Sequence, residues 1–187
     1  MTEDIPDGRD PESVSVLIVE DERELADMYA AYLPEYDTTV TYGGETALSA
    51  LDEQSHDIVL LDRRMPVVSG DEVLAGIEER GLDCRVALMT AVNPDFDIID
   101  LRIDDYVLKP VTREKLRKTV ARLVTLREYD EQMQSLTAKK LKRNVLEVEK
   151  TRASLQESEE FQRLETEIEE LAETVGELAD DLDLEDE

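Results

Sequence analysis

The chain has 187 residues, enough for one domain of ordinary size with an appendage. Its 48 acidic residues outnumber 21 lysines and arginines, and the net charge of -27 predicts a halophilic source, because such a surface tolerates concentrated salt. One cysteine and one histidine exclude an internal disulfide and disfavour zinc clusters and histidine-dependent hydrolase triads. Apolar runs such as Val16–Val19 are far shorter than the ~20 residues of a membrane helix, so a cytoplasmic protein outside the membrane is expected.

The first part of the chain alternates short apolar runs with helical patterns. Residues 1–13 are acidic, hold two prolines and predict a disordered arm. The predicted strands are Val14–Val19, Thr38–Tyr42, Asp57–Leu61, Arg85–Thr90 and Asp105–Leu108. The predicted helices between them are Glu22–Leu33, Glu45–Gln54 and Asp71–Arg80. This alternation predicts an α/β fold whose right-handed crossovers build a doubly wound parallel sheet.

Chemically active side chains follow four of these five strands. They are Glu20 and Asp21, Asp62, Thr90, and Lys109. In a doubly wound sheet, ligands bind at the carboxyl ends of the strands, so these side chains are expected at one edge. Three neighbouring carboxylates repel one another unless a cation neutralises them, and oxygen-only ligands suit Mg²⁺. The pattern predicts a Mg²⁺ site where one carboxylate can accept a phosphoryl group while the metal and Lys109 offset the charge.

Residues 14–122 resemble the receiver domain of two-component response regulators, in which an aspartate accepts phosphate from a histidine kinase. The motif consists of five pieces in order: Glu20-Asp21, the D-x-x-M-P-x-x-x-G stretch from Asp62 to Gly70, Thr90-Ala91, Asp105-Tyr106 and Lys109-Pro110. The resemblance implies a flavodoxin-like, five-stranded parallel sheet of order 2-1-3-4-5. It also implies a signalling switch rather than an enzyme, with self-dephosphorylation at most.

The resemblance also implies a role for each motif residue. Asp62 is the phosphoacceptor for a sensor histidine kinase, and Thr90 and Lys109 grip the phosphoryl oxygens. Tyr106 is the aromatic residue that rotates when Thr90 moves. The implied Mg²⁺ ligands are Glu20, Asp21, Asp62 and the backbone carbonyl of Arg64. The implied structural positions are Pro66, Gly70 and Pro110, which follows a cis peptide bond.

Other interpretations of these residues remain open. The acidic residues could be loop caps in an acid-rich protein, and Tyr106 could be plain core or surface filler. An aspartyl-phosphate phosphatase is disfavoured, because such enzymes place two aspartates after one strand. His56 is expected to be a solvated side chain on a surface loop, and Cys84 an incidental small residue. The stretch Asp95–Leu101 should form a short or irregular fourth helix, because Pro94 lacks a donor and restricts its predecessor.

The remainder, 123–187, reads as a helical extension. Thr112 is a plausible N-cap, and no glycine or proline follows it until Gly176. Apolar residues then recur at heptad spacing: Leu141, Val145, Val148, Leu155, Phe161, Leu164, Ile168, Leu171, Val175, Leu178 and Leu182. A change of phase near 154–160 predicts two helices, about 112–157 and 159–182. They should pack as an intramolecular hairpin or between the chains of a homodimer, through residues 112–182.

This layout of receiver and acidic helical tail resembles the haloarchaeal regulators whose C-terminal segment is called HalX. The resemblance implies a role in transcription regulation, but the tail holds no recognisable DNA-binding motif. Residues 113–152 carry twelve of the 21 cations, and Lys139, Lys142, Arg143 and Lys150 fall near one helical face. This face fits a DNA backbone. The alternative is that the cations pair with the acidic helix 159–182, and the tail is then an interaction or dimerisation module that does not contact DNA.

Overall fold

The computed structural model describes residues 14–183, so the arm predicted over 1–13 lies outside the described residues. The chain divides into two compact units, and the boundary lies between Val124 and Thr125. In the described part, no helix is long and apolar enough to cross a membrane.

The first unit is built on a five-stranded sheet in which every pair of neighbours is parallel. The strands are β1 (Ser15–Val19), β2 (Asp37–Thr41), β3 (Ile58–Asp62), β4 (Arg85–Thr90) and β5 (Asp105–Leu108). Their order is β2-β1-β3-β4-β5. The predicted flavodoxin-like α/β fold is therefore confirmed.

Helices cover both faces of this sheet. They are α1 (Arg23–Tyr32), α2 (Gly44–Glu53), α3 (Gly70–Arg80) and the start of α4 (Arg113–Glu149). One apolar cluster joins a sheet face to α1 and to the first turns of α4, and a second joins the other face to α2 and α3. All five residues of β3 are buried, as expected for a central parallel strand with both faces covered.

The connection from β4 to β5 contains a single 3-10 turn, Phe96–Ile98, in place of a fourth helix. The Asp95 side chain accepts a hydrogen bond from Phe96 N at 2.7 Å. Pro94 supplies no donor and disfavours helical backbone in the residue before it, which explains why a longer helix does not begin here. The expected irregular segment is confirmed.

The solvated loop position predicted for His56 is wrong. His56 is only 4% exposed, and its Nε2 lies 3.3 Å from Gln54 Nε2. It lies two residues before the start of β3, at the edge of the sheet opposite to the carboxyl ends of the strands.

The second unit consists of the rest of α4, the short helix α5 (Arg152–Glu157) and α6 (Glu159–Asp183). The prediction of one unbroken helix to residue 157 is wrong, because α4 ends at Glu149. Thr151 Oγ1 accepts a hydrogen bond from Ser154 N at 3.3 Å, and Ser158 Oγ accepts one from Phe161 N at 3.2 Å. Each hydroxyl satisfies an amide that a helix start leaves without a partner, so the chain breaks twice.

Helix α6 packs back on α4 as an intramolecular hairpin, one of the two predicted arrangements. Four described apolar residues of the hairpin are buried: Leu136, Phe161, Ile168 and Val175. Leu136, Ile168 and Val175 form one cluster, and Tyr129, Met133, Leu164 and Leu171 are half-buried around it. Of the seven heptad positions predicted for this helix, Leu164, Ile168, Leu171 and Val175 lie in the cluster with α4.

The seam predicted for the end of α4 is wrong. Leu141, Val145 and Val148 are 65%, 54% and 82% exposed. The row of α4 that faces α6 continues from Leu136 to Lys139, and Lys139 Nζ lies 2.5 Å from Glu167 Oε2. Two neighbouring rows of this helix offer apolar residues, and spacing alone does not say which row meets the partner.

Candidate functional site

The predicted site residues meet at the carboxyl edge of the sheet. Glu20 directly follows β1, Asp62 ends β3, Thr90 ends β4 and Lys109 directly follows β5. The sequence order reverses between β1 and β3, at the centre of the sheet. A crevice at such a switch point is where doubly wound sheets bind ligands.

Lys109 connects two carboxylates from different strands. Its Nζ lies 2.7 Å from Glu20 Oε2 and 2.9 Å from Asp62 Oδ1. Its backbone N donates to Thr90 O at 2.8 Å, and the Lys109–Pro110 peptide bond is cis. The ammonium is therefore fixed at a position where it faces the charge of both carboxylates.

The carboxylates of Glu20, Asp21 and Asp62 form a compact cluster. Each offers one oxygen, and these atoms lie within 4.8 Å of one another. Glu20 is fully buried and Asp62 is 5% exposed. With Lys109 as the neighbouring cation, the cluster carries an excess of two negative charges. Oxygen-only donors with this charge fit a small divalent cation such as Mg²⁺.

Burial dominates the electrostatics of this cluster. It raises the pKa of Asp62 above its ordinary value, although the hydrogen bond and charge of Lys109 act in the opposite direction. Burial likewise raises the pKa of Glu20, and the charge of Asp62 adds to this effect. Burial lowers the pKa of Lys109, but its hydrogen bonds to Glu20 and Asp62 outweigh it, so this pKa lies above its ordinary value. The lysine remains an ammonium at neutral pH.

The loop after Asp62 folds tightly against the end of β3. Gly70 N donates to Arg63 O at 2.9 Å, and a Cβ added at Gly70 would lie 2.4 Å from Asp62 O. Within the loop, Val68 N donates to Pro66 O at 2.8 Å across Val67, whose φ is 69°. A β-branched residue at positive φ is strained, so the loop around the predicted acceptor is held in a conformation that Val67 does not favour.

Thr90 and Tyr106 are linked through one residue. Thr90 is 1% exposed, and its Oγ1 accepts a hydrogen bond from Val92 N at 3.2 Å. The Tyr106 hydroxyl donates to Val92 O at 2.9 Å. The two side chains are therefore connected through the amide and the carbonyl of Val92.

Sequence reasoning missed Arg63, the neighbour of Asp62. Its Nε lies 3.1 Å from Asp71 Oδ1, and the guanidinium also pairs with Asp97 of the 3-10 turn. The pairs with Asp97 and Asp71 raise the pKa of Arg63 above its ordinary value. Arg63 thus ties α3 to the segment between β4 and β5. Its position beside Asp62 was the only signal for it in the sequence.

Comparisons with known proteins agree with this geometry. The model of the response regulator receiver domain matches residues 16–121, and the model of the HalX domain matches residues 125–187. A Haloferax volcanii protein named "Putative transcriptional regulator" is 50% identical over 121 residues, which cover 64% of this chain and 20% of that protein. The transcriptional regulatory protein CutR of Streptomyces coelicolor is 38% identical over 106 residues, which cover 54% of this chain and 49% of CutR. The chain therefore matches less than half the length of either relative.

A solved structure shares the receiver fold. The response regulator protein TrrA of Thermotoga maritima, in complex with Mg²⁺ and BeF, aligns with a TM-score of 0.52 and 30% sequence identity, over 59% of this chain and 98% of TrrA. The receiver match spans more than half of the residues, and the motif residues stand at the strand ends where the fold binds ligands. The chain belongs to the response regulator receiver domain family of two-component systems, and a HalX domain follows its receiver.

Proposed function

We propose that this protein is a cytoplasmic response regulator in which Asp62 accepts a phosphoryl group from the phosphohistidine of a sensor kinase. The observation that carries the proposal is the cluster of Glu20, Asp21 and Asp62, in which Glu20 and Asp62 are buried and the ammonium of Lys109 lies against both. A structural role for so many buried charges is costly, because desolvation opposes each of them. Buried, mutually perturbed ionisable groups in a crevice are typical of a reaction site.

The transfer is a displacement at phosphorus. An oxygen of the Asp62 carboxylate forms the new O–P bond while the P–N bond of the phosphohistidine breaks, and the imidazole nitrogen keeps the electron pair of that bond. Lys109 Nζ lies 2.9 Å from Asp62 Oδ1 and can follow the charge from the carboxylate to the phosphoryl oxygens. Thr90 contributes a hydroxyl at the end of the next strand.

We assign the Mg²⁺ site to Glu20, Asp21 and Asp62 with the backbone carbonyl of Arg64. The donor set suits the ion, as described above. When bound, Mg²⁺ supplies positive charge that offsets the phosphoryl oxygens. Gly70 keeps the loop after Asp62 against β3, because any side chain there would collide with the backbone of Asp62 and Arg63.

The signal leaves the site through Thr90, Val92 and Tyr106. When Thr90 Oγ1 turns toward the phosphoryl group, Val92 N loses its acceptor, and the Val92 carbonyl moves with it. Tyr106 and the segment that Arg63 holds through Asp97 then adjust together. Phosphorylation adds about 1.5 to 2 negative charges at one point, which is enough to bias such a two-state element.

The output that we propose is regulation of transcription, because relatives of this chain are named for it. Only Lys139 pairs with α6 among the described ion pairs of the basic block, and Lys140, Lys142, Lys150 and Arg152 form none there. Ion pairing with the acidic helix α6 therefore accounts for only one of these described cations. A DNA titration of the full chain at several salt concentrations tests direct contact, since phosphate contacts give a steep salt slope.

Beryllofluoride with Mg²⁺ tests the acceptor assignment directly. The full chain should bind this phosphoryl mimic, observed by ¹⁹F NMR, and Asp62→Asn should abolish binding. Asp52→Asn is the matched control, because Asp52 pairs with Arg80 at 2.7 Å on the exposed surface and takes no part in the cluster. Undiminished binding by Asp62→Asn would show that another residue is the acceptor.

A further inference from the structure

Two exposed apolar surfaces of this chain lie on different units. The first, which we call the hairpin groove, lies between the end of α4, α5 and the start of α6 and encloses about 700 Å³. Its apolar walls include Leu141, Val145, Leu155 and Phe161. The second, which we call the switch segment, is Asp95–Leu101 with its 3-10 turn. The two surfaces differ in the sign of their charge.

The hairpin groove combines apolar walls with a basic rim. Lys142 and Lys150 line it, together with one acidic residue, Glu160. The wider stretch 139–152 has six cations and two acidic residues. Neither Lys142 nor Lys150 forms an ion pair among the described residues, so their charge is available to a partner.

The switch segment combines exposed apolar side chains with acidic ones. Phe96 is 84% exposed and Ile99 is 72% exposed. Asp95, Asp97 and Asp100 alternate with them, and the segment contains no lysine or arginine. The pair between Asp97 and Arg63 fixes the backbone of this segment to the receiver. The switch segment therefore presents two large apolar side chains flanked by three aspartates.

A symmetric contact of two hairpin grooves is disfavoured. In the second unit, the described large apolar side chains that are exposed are Leu141, Val145 and Val148, so a second hairpin could offer only this same row. Such a contact would oppose two stretches that each carry four net positive charges. The exposed face of α6 offers no large apolar side chain, and this helix carries eleven acidic residues against one arginine. An occupant has to bring both apolar and acidic groups.

We propose that the switch segment of a second copy of this chain docks in the hairpin groove, with Phe96 and Ile99 against its apolar walls and Asp100 near Lys142 and Lys150. Each copy offers one groove and one segment, so a dimer that closes with two-fold symmetry would contain this contact twice. The contact is chemically complementary in both respects, apolar and electrostatic. It does not rest on the phosphorylation of Asp62, since both surfaces are exposed in the structure described here.

Sedimentation velocity of the full chain over a range of concentrations tests the proposal, in concentrated salt without phosphoryl mimic. The mass should rise reversibly from one chain to two. Phe96→Ala and Val145→Ala should each weaken the dimer by roughly tenfold or more, as expected for buried interface anchors. The matched control is Val67→Ala, because Val67 is as exposed as Phe96 but lies outside the segment. It should leave the dimer unchanged.

Charge reversal identifies the contact. Asp100→Lys and Lys142→Glu should each weaken the dimer at lower salt, and the double variant should regain most of the loss. A single-chain mass at every concentration, equal weakening by Val67→Ala, or a dimer that ignores Phe96→Ala and Val145→Ala would each overturn the proposal. Loss of association on addition of DNA without any effect of Phe96→Ala would instead assign the basic rim to nucleic acid, and would also overturn it.

Discussion

The receiver and the hairpin differ in how completely they bury their apolar side chains. The receiver covers both faces of its sheet, and its apolar side chains form two continuous clusters. Among the described residues, the hairpin buries four apolar side chains, and the apolar residues packed against its central cluster remain half-exposed. The receiver can therefore tolerate three neighbouring carboxylates at its edge, whereas the hairpin has little stability in reserve. A partner that covers the hairpin would add to its stability.

The largest expected effect comes from truncating the core of either unit. Leu60 is fully buried in β3, and Leu60→Ala should cost about 2 to 5 kcal/mol of unfolding free energy and abolish binding of beryllofluoride and Mg²⁺. Ile168 is 5% exposed in the hairpin, and Ile168→Ala should melt helix at lower denaturant while that binding is retained. Far-UV circular dichroism and ¹⁹F NMR along one urea titration measure both quantities.

The same substitution, glycine to alanine, should have opposite effects on stability at Gly70 in the receiver and at Gly176 in the hairpin. Gly70→Ala should destabilise the receiver by about 1 to 3 kcal/mol and reduce phosphoryl-mimic binding, because its Cβ would meet backbone atoms at 2.4 and 2.7 Å. Gly176→Ala should stabilise the hairpin by about 0.5 to 1 kcal/mol, since nothing lies within 4 Å of its Cβ in α6. Thermal unfolding followed by circular dichroism measures both signs. Equal effects in the two units would contradict the close approach at Gly70.

The receiver was largely predictable from the sequence because two signals agreed there. Apolar runs bounded by turns predicted the strands, and polar residues at their carboxyl ends predicted the cluster around Asp62. The strand order came from family resemblance. Arg63 escaped prediction because its partners, Asp71 and Asp97, are brought to it only by tertiary structure. The positive φ of Val67 also escaped, because valine gives no local signal for that conformation.

The hairpin was harder to predict because periodicity is its only signal. The row of Leu141, Val145 and Val148 has the spacing of a seam, yet it is exposed. The row that does face α6 contains Lys139, and a long charged side chain gives no sign in the sequence that it packs between two helices. The two helix breaks depend on hydroxyl caps, and several serines and threonines in this stretch could serve equally well.

The pH dependence of stability is expected to differ between a carboxyl group of the receiver and one of the hairpin. Burial raises the pKa of Asp62, so the folded receiver holds this proton longer than the unfolded chain does. The unfolding free energy therefore falls as pH rises from the ordinary carboxyl range through the folded-state pKa. In metal-free buffer, Asp62→Asn should raise the Tm at neutral pH, and this gain should vanish below about pH 4.

In the hairpin, the corresponding variant is Glu167→Gln, which should change the melting temperature in the opposite direction. The hydrogen bond from Lys139 lowers the pKa of Glu167, so its contribution is present at neutral pH and is lost as pH falls through the lowered pKa. This variant should lower the helix melting temperature at neutral pH. Differential scanning calorimetry from acidic to neutral pH measures both slopes. If Asp62→Asn lowered the Tm at neutral pH in the absence of metal, the buried cluster would be favourable rather than costly.

The smallest expected effect concerns strain in the loop after Asp62. Val67 has a φ of 69° and is 84% exposed, so its side chain contributes little packing to offset an unfavourable backbone. Val67→Gly should stabilise the receiver by about 0.5 to 1 kcal/mol, because glycine adopts this conformation without penalty but loses more entropy on folding. Val67→Ala keeps a Cβ at the same φ and should gain less, which separates backbone strain from loss of an exposed apolar side chain. Urea unfolding of the three proteins orders them. If alanine gained as much as glycine, the exposed side chain rather than the backbone would be the source of the cost, and the strained turn beside the acceptor would store no energy.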